Sequence, residues 1–88
     1  MANKRDLKKE VQFTLSTVIE SAILKEEANP DQNKEKAEKI IDETVVAFDD
    51  FITRINSKNP ENPSTYYKQI RKDLIKTETA LLEKIHSM

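Results

Sequence analysis

The chain contains no glycine among its 88 residues, and this absence limits what it can fold into more than any other feature. Glycine normally supplies the positive φ angles of tight β-hairpin turns, so a sheet-rich fold is disfavoured. Its absence also removes the glycine-rich phosphate-binding loop, the dinucleotide-binding fingerprint and the nucleophile elbow of serine hydrolases. The sequence therefore favours an all-α fold and argues against the common nucleotide-binding and serine-hydrolase classes.

Three prolines divide the chain into three stretches of similar length. Before the first proline, Asn29 is followed three residues later by Gln32, a pattern typical of a helix start with proline at its first position. The other two prolines lie within 57–64, which is rich in turn-forming residues and is predicted to be a loop. Either Asn62 or Ser64 can cap the helix that follows.

Apolar residues recur at three- and four-residue spacings in all three stretches, as they do on the buried side of amphipathic helices. The spacing predicts helices over about 4–28, 30–57 and 64–86, with Asn3 capping the first. Short connections between helices of matched length place sequence neighbours antiparallel. We therefore expect an all-α, antiparallel up-down-up three-helix bundle that forms a single domain over 1–88.

The predicted core consists of one apolar stripe on each helix. Phe48 and Phe51 occupy successive positions of the most regular stripe, on the second helix, so we expect both to anchor the core. The stripes comprise Leu7, Val11, Leu15, Val18, Ile19, Ala22 and Ile23 on the first helix, Ala37, Ile40, Ile41, Thr44, Val45, Phe48, Phe51, Ile52 and Ile55 on the second, and Tyr66, Tyr67, Ile70, Leu74, Ile75, Leu81, Leu82 and Ile85 on the third.

Few residues could carry chemistry. His86 is the single histidine, and it follows Glu83 at the Glu-x-x-His spacing that supplies di-metal ligands in ferritin-like bundles. Such a site needs a second motif and two further glutamates, whereas this motif occurs once, in the last turn of the predicted helix. A solvated histidine at a frayed helix end explains it better. We predict no catalytic, cofactor or metal site, and we expect a non-enzymatic protein.

The sequence also carries signals about the compartment. It contains no cysteine, which removes disulfides, zinc–thiolate sites, iron–sulfur clusters and thiol nucleophiles. The first ten residues are mostly charged and lead into no apolar leader segment. No stretch approaches the ~18 consecutive apolar residues of a membrane-spanning helix. We therefore expect a cytoplasmic location.

Charged residues are distributed unevenly, although the net charge is only −1. Segment 30–62 carries eight acidic and five basic residues, which a solvated helix face explains better than a cation site, because calcium sites usually come from loops. Two basic clusters, the second beside Tyr66 and Tyr67, support an alternative function as a small nucleic-acid-associated or regulatory protein. The clusters comprise Lys4, Arg5, Lys8 and Lys9 in the first turns, and Lys68, Arg71, Lys72 and Lys76 in the third helix.

Four residues do not fit the core stripes. Phe13 and Leu24 project nearly opposite the apolar stripe of the first helix, and Arg71 and Glu78 interrupt an apolar face of the third. One interpretation is an interaction surface that a protein partner or a second copy covers, as in a weak homodimer. The other is scattered exposure with an Arg–Glu pair at the rim of the core. The leading hypothesis is a helical interaction or structural protein that acts through its helix surfaces.

The opening Met1-Ala2-Asn3-Lys4-Arg5-Asp6-Leu7-Lys8-Lys9 resembles the start of an uncharacterised family of small all-helical proteins from Bacteroidetes-type bacteria. The resemblance covers about a tenth of the chain. It implies a bacterial cytoplasmic protein with a helical-bundle fold. The family offers no activity or site residues to transfer, so the functional hypotheses depend on the residues themselves.

Overall fold

A computed structural model describes residues 4–57 and 62–88. It contains three helices, α1 (Lys4–Ala28), α2 (Pro30–Ile55) and α3 (Pro63–His86), and all three pack against one another. No strand occurs among the described residues. The predicted all-α three-helix bundle is therefore confirmed, and the predicted helix boundaries differ from those of the structure by no more than two residues.

A single residue, Asn29, separates α1 from α2. Its φ of −152° breaks the helical run, while its amide donates to the carbonyls of Lys25 and Glu26 at 3.3 and 3.2 Å. The Asn29 side chain makes no capping bond to the backbone and instead donates from Nδ2 to Oε1 of Gln32 at 3.1 Å. The turn is thus closed by hydrogen bonds of asparagine, without the glycine that often ends a helix.

The second connection is described only at its ends. Asn62 caps α3: its side chain accepts a hydrogen bond from the Thr65 amide at 3.4 Å, and its carbonyl accepts one from the Tyr66 amide at 2.9 Å. The predicted capping by Asn62 is therefore confirmed, whereas Ser64 lies inside the helix. The predicted cap Asn3 and the central part of the predicted loop, residues 58–61, lie outside the described residues.

The core follows the bundle axis, and most of the predicted stripe residues lie in it. Four predicted core residues are instead exposed: Ile23 (38%), Val45 (48%), Ile75 (57%) and Leu82 (38%). These predictions were wrong because a helix in a three-helix bundle buries only the strip that faces the other two, and side chains farther round point outwards. The buried apolar residues are Leu7, Val11, Leu15, Val18, Ala22, Ala37, Ile40, Phe51, Ile55, Tyr67, Ile70, Leu74, Leu81 and Ile85.

The two predicted aromatic anchors of α2 differ in burial. Phe51 is 3% exposed and lies in the core, whereas Phe48 is half-buried and packs against its edge. Two polar side chains are buried as well. Thr44 donates from Oγ1 to the Ile40 carbonyl at 2.7 Å, and Asn33 donates from Nδ2 to the Lys25 carbonyl at 3.0 Å. Each buried polar group therefore has a partner.

Side-chain pairs between helices show how the rods are aligned. Arg54 near the end of α2 pairs with Asp73 in the first half of α3, and Glu43 farther back pairs with Lys84, so α2 and α3 are antiparallel. Arg71 pairs with Glu10 near the start of α1. The helices α1 and α3 therefore run parallel and side by side, along a bundle whose backbone extends 49 Å by 16 Å by 15 Å.

Candidate interaction surface

The bundle has three long faces, each formed by two neighbouring helices, and they differ in chemistry. The α2/α3 face is crossed by polar contacts. Arg54 contacts Asp73 at 2.8 Å, Lys84 contacts Glu43 at 2.7 Å, and the Tyr66 hydroxyl donates to the Arg54 carbonyl at 2.7 Å. These contacts link the two helices along their shared face.

The α2/α3 face also holds Asp73, a carboxylate whose pKa is shifted. The hydrogen bond from Arg54 lowers the pKa of Asp73 from 3.8, with a second contribution from the hydrogen bond that Gln69 donates at 2.9 Å. Both bonds are made to the charged form of the carboxyl group and therefore favour it. Asp73 is thus a structural ion-pair partner whose charge is stabilised by its neighbours.

The α1/α2 face is largely filled by apolar side chains of its own helices. Ile41, Phe48 and Ile52 of α2 are partly buried against the core. The remaining exposed apolar residues of this face, Ile23 and Val45, lie at its edge. The α1/α2 contact is also the most extensive of the three helix pairs. Two exposed apolar residues therefore remain on this face, and neither is more than 48% exposed.

The α1/α3 face is different, because it carries large apolar side chains that no neighbouring helix covers. Phe13 is 76% exposed and Leu24 is 66% exposed on α1, while Ile75 is 57% and Leu82 is 38% exposed on α3. The described part of the chain has seven exposed large hydrophobic residues, and these four are on one face. They include the most exposed of the seven, Phe13.

Helical spacing places these four residues together. Phe13 and Leu24 are 11 residues apart, and Ile75 and Leu82 are seven apart, which correspond to about three and two helical turns. Each pair therefore shares one side of its helix. On both helices that side lies next to the Glu10–Arg71 ion pair, which marks the flank where α1 and α3 meet. We call the surface formed by these four residues the α1/α3 face.

Arg71 and Glu78 lie along the same flank of α3, seven residues apart. The Arg71 guanidinium donates from Nε to Oε2 and from Nη2 to Oε1 of Glu10, both at 2.9 Å. The side chains of this pair remain 40% and 44% exposed, and Glu78 is half-buried. Arg71 therefore has a carboxylate partner within its own chain, and the pair lies in the α1/α3 face.

Phe13, Leu24, Arg71 and Glu78, the four residues selected from the sequence, lie along the flank where α1 and α3 meet, and their role in binding stays a prediction. Ile75 and Leu82, which were predicted to lie in the core, belong to this face as well. The signal that could have separated them from core residues is their position on the helix. Both lie on the side that also carries Arg71, whereas the buried residues of α3 lie on the adjoining strip.

The ends of the α1/α3 face carry opposite charge. Near the first turns of α1 and α3, which lie at the same end of the bundle, the three lysines Lys9, Lys68 and Lys72 are exposed along its border and outnumber one exposed acidic residue, Asp6. Toward the other end the exposed border residues are acidic: Glu20, Glu27 and Glu83. We call these the basic end and the acidic end of the face.

Two shallow depressions lie at the acidic end. One, of about 270 Å³, lies on the outer side of α1, between this face and the α1/α2 face, and is lined by Glu20, Ile23, Leu24 and Glu27. The other lies beside Leu82 and is lined also by His86, which is exposed. No group of three or more potential metal-ligating side chains occurs within residues 4–57 and 62–88. Both depressions combine apolar side chains with glutamates at their rims.

A third cleft, of about 300 Å³, lies outside this face, between the start of α2 and the end of α3. It is lined by Lys36 and Lys39 together with Ile40 and Met88, and by the Glu43–Lys84 pair. Lys36 and Lys39 are exposed, and Glu43 and Lys84 already pair with each other within the chain. The cleft therefore offers weaker evidence of a binding site than the α1/α3 face.

No family model, curated protein or solved structure matches this chain. The resemblance of its opening nine residues to a bacterial family therefore stays a prediction. None of the described helices is long and apolar enough to span a membrane.

Proposed function

We propose that this protein is a non-enzymatic interaction protein that binds a protein partner through the α1/α3 face. The observation that carries the proposal is the concentration of exposed apolar side chains there, led by Phe13 at 76% and Leu24 at 66% exposure. Single exposed apolar residues are ordinary on a protein surface, but several on one face are typical of a surface that another molecule covers.

The composition of the face supports the same proposal. Protein interfaces commonly have an apolar centre with an aromatic side chain and a charged rim. Here Phe13 and Ile75 lie on the face, while residues such as Lys9 and Glu27 lie on its border. Burial of apolar surface stabilises a complex by about 25 cal/mol per Å², before the costs of association are subtracted. The exposed apolar side chains therefore provide a driving force for binding.

Nucleic-acid binding is the alternative, and one observation favours it. Because α1 and α3 run parallel, their basic first turns lie at the same end of the bundle, which brings Lys4 and Lys8 to the end that also carries Lys68 and Lys72. Against it, Arg71 is engaged by Glu10. Nucleic-acid affinity that falls steeply with salt concentration would favour this alternative over protein binding.

Site-specific photo-crosslinking in the producing cells tests the proposal. A photoreactive phenylalanine analogue replaces Phe13 in one variant and Val46 in a matched control. Val46 is 68% exposed but lies three residues after Glu43, which pairs with α3 on another face. We expect protein adducts from position 13 and few from position 46.

A third variant combines the photoreactive group at position 13 with Leu24→Lys, and we expect it to lose the adducts. Equal adducts from positions 13 and 46 would contradict the proposal, because they would indicate unspecific collisions. Adducts with nucleic acid in place of protein would contradict it in favour of the alternative.

A further inference from the structure

We propose that the partner of the α1/α3 face is a second copy of this chain, packed antiparallel about a two-fold axis perpendicular to the helices. This inference rests on the proposed function, and it adds the identity of the partner and the geometry of the complex. Two-fold dimers are the commonest soluble assemblies, and each uses one self-complementary patch. The patch must therefore match itself after it is reversed end to end.

The apolar residues of the α1/α3 face meet this requirement. The midpoint between Phe13 and Leu24 lies at about residues 18–19 of α1, and the midpoint between Ile75 and Leu82 lies at about residues 78–79 of α3. Because the Glu10–Arg71 pair aligns the parallel helices, these two midpoints lie at about the same height along the bundle. One two-fold axis can therefore pass through both.

Rotation about that axis places unlike apolar residues opposite each other. On α1, Phe13 of one copy faces Leu24 of the second copy. On α3, Ile75 of one copy faces Leu82 of the second copy. All four exposed apolar residues of each copy are then covered, and four helices form a common apolar layer.

The charges are complementary in the same arrangement. The rotation lays the basic end of one face over the acidic end of the other. Lys9 and Glu27 illustrate this, since they are 18 residues apart on α1, or about five turns, and share one side of the helix. Their midpoint, residue 18, lies within one residue of the midpoint between Phe13 and Leu24. Lys9 of each copy therefore lies near Glu27 of the other.

The size of the face is adequate for a dimer. With 25 residues, α1 is ~37 Å long at ~1.5 Å per residue, and two adjacent helices span ~20 Å. The face can therefore bury on the order of 700 Å² per copy, close to the ~800 Å² per partner of a standard interface. A parallel arrangement of the copies would instead bring like-charged ends together.

Glu78 provides an internal check on the position of the axis. It lies next to the α3 midpoint, so the two copies place their Glu78 carboxylates near the axis and near each other. Like charges at such short range oppose association. We therefore expect Glu78→Gln to strengthen the dimer, although it removes a charge from the surface.

Sedimentation equilibrium over a range of protein concentrations is the first test. We expect the apparent mass of the wild-type chain to rise toward that of a dimer. Phe13→Glu should weaken association by at least about tenfold, whereas Val46→Glu, which adds the same charge at a similarly exposed position on another face, should leave it unchanged. Far-ultraviolet circular dichroism checks that both variants remain helical.

Charge reversal tests the geometry. In Lys9→Glu both cross-copy contacts become acidic pairs, and in Glu27→Lys both become basic pairs, so we expect each variant alone to associate more weakly than wild type. An equimolar mixture of the two variants makes both contacts attractive. We therefore expect the mixture to form a heterodimer at concentrations where each variant alone is monomeric.

The outcomes separate the inference from the proposed function. The wild-type chain could be monomeric up to near-millimolar concentration while position 13 still gives adducts with another protein in cells. That result would overturn the inference that the partner is a second copy, and it would leave the proposed function intact. Dimerisation that the mixture does not rescue, or that Glu78→Gln weakens, overturns the antiparallel geometry. Dimerisation with the expected rescue, together with adducts between copies, supports both.

Discussion

Arg71 of α3 holds Glu10 of α1 through two parallel hydrogen bonds of 2.9 Å, one from Nε and one from Nη2. The two residues are 61 positions apart in sequence. A bidentate contact of this kind restricts geometry more than a single hydrogen bond does. The pair therefore aligns the first halves of two parallel helices whose connecting segment crosses the whole bundle.

The Glu10–Arg71 pair should contribute little to stability despite its geometry. Its side chains are 40% and 44% exposed, and exposed ion pairs typically contribute about 0.2–1 kcal/mol. Urea denaturation of Glu10→Gln, Arg71→Gln and the double variant gives the coupling energy, which we expect in that range. A coupling energy above about 2 kcal/mol would contradict this expectation, because it exceeds what exposed pairs contribute.

Phe51 and Phe48 should differ in their contributions to the core. Phe51 is 3% exposed, whereas Phe48 is half-buried. We expect Phe51→Ala to lower the free energy of unfolding by about 3–5 kcal/mol and Phe48→Ala by roughly half as much, because less apolar surface is lost from the interior. Chemical denaturation measures both, with the surface variant Lys36→Ala as control. Equal losses at the two positions would contradict the observed facing of α2.

Asn33 should be important for the turn between α1 and α2. It is 6% exposed and donates to the Lys25 carbonyl eight residues earlier. We expect Asn33→Ala to destabilise the protein by about 1–2 kcal/mol, because a buried hydrogen bond is lost and a space remains. Thr44→Val is the matched control, since the Thr44 hydroxyl bonds only within its own helix. A larger loss for Thr44→Val in thermal denaturation would contradict this account.

The Arg54–Asp73 pair should make the stability of the protein depend on pH. The folded chain holds the pKa of Asp73 below 3.8, chiefly through the Arg54 hydrogen bond. The contribution of this pair to the free energy of unfolding is therefore present above the pKa that Asp73 has in the unfolded chain. It is lost as the pH falls through the lower pKa that Asp73 has in the folded chain. We expect the melting temperature of Asp73→Asn to lie below that of wild type at neutral pH and the difference to shrink as acid protonates Asp73 in the folded chain. A difference in melting temperature that stays constant with pH would show that the charge of Asp73 does not contribute to stability.

Much of the fold could be predicted from the sequence because local signals agree with the tertiary structure. Proline and asparagine mark the starts of α2 and α3, and the apolar spacing gives the helical period. The width of each buried strip could not be predicted, because it depends on how the helices pack around one another. Ile75 and Leu82 were therefore assigned to the core, and Asn33 was overlooked because its partner carbonyl belongs to the preceding helix.

The candidate surface could be predicted in part. Phe13 and Leu24 stand out because they oppose the core stripe of their own helix, which the sequence reveals directly. That they share a face with α3 could not be predicted, since it depends on which flank of α1 meets α3. The Glu10–Arg71 pair supplies that information.

The most direct test of the α1/α3 face is residue-resolved NMR of the side chains as the protein concentration is raised. We expect the ring signals of Phe13 and the methyl signals of Leu24, Ile75 and Leu82 to shift together along one binding curve. The methyl signals of Val46, which is 68% exposed on another face, should stay unchanged. If no signal shifts up to near-millimolar concentration, or if Val46 shifts along with the other four, the result would contradict self-association through the α1/α3 face.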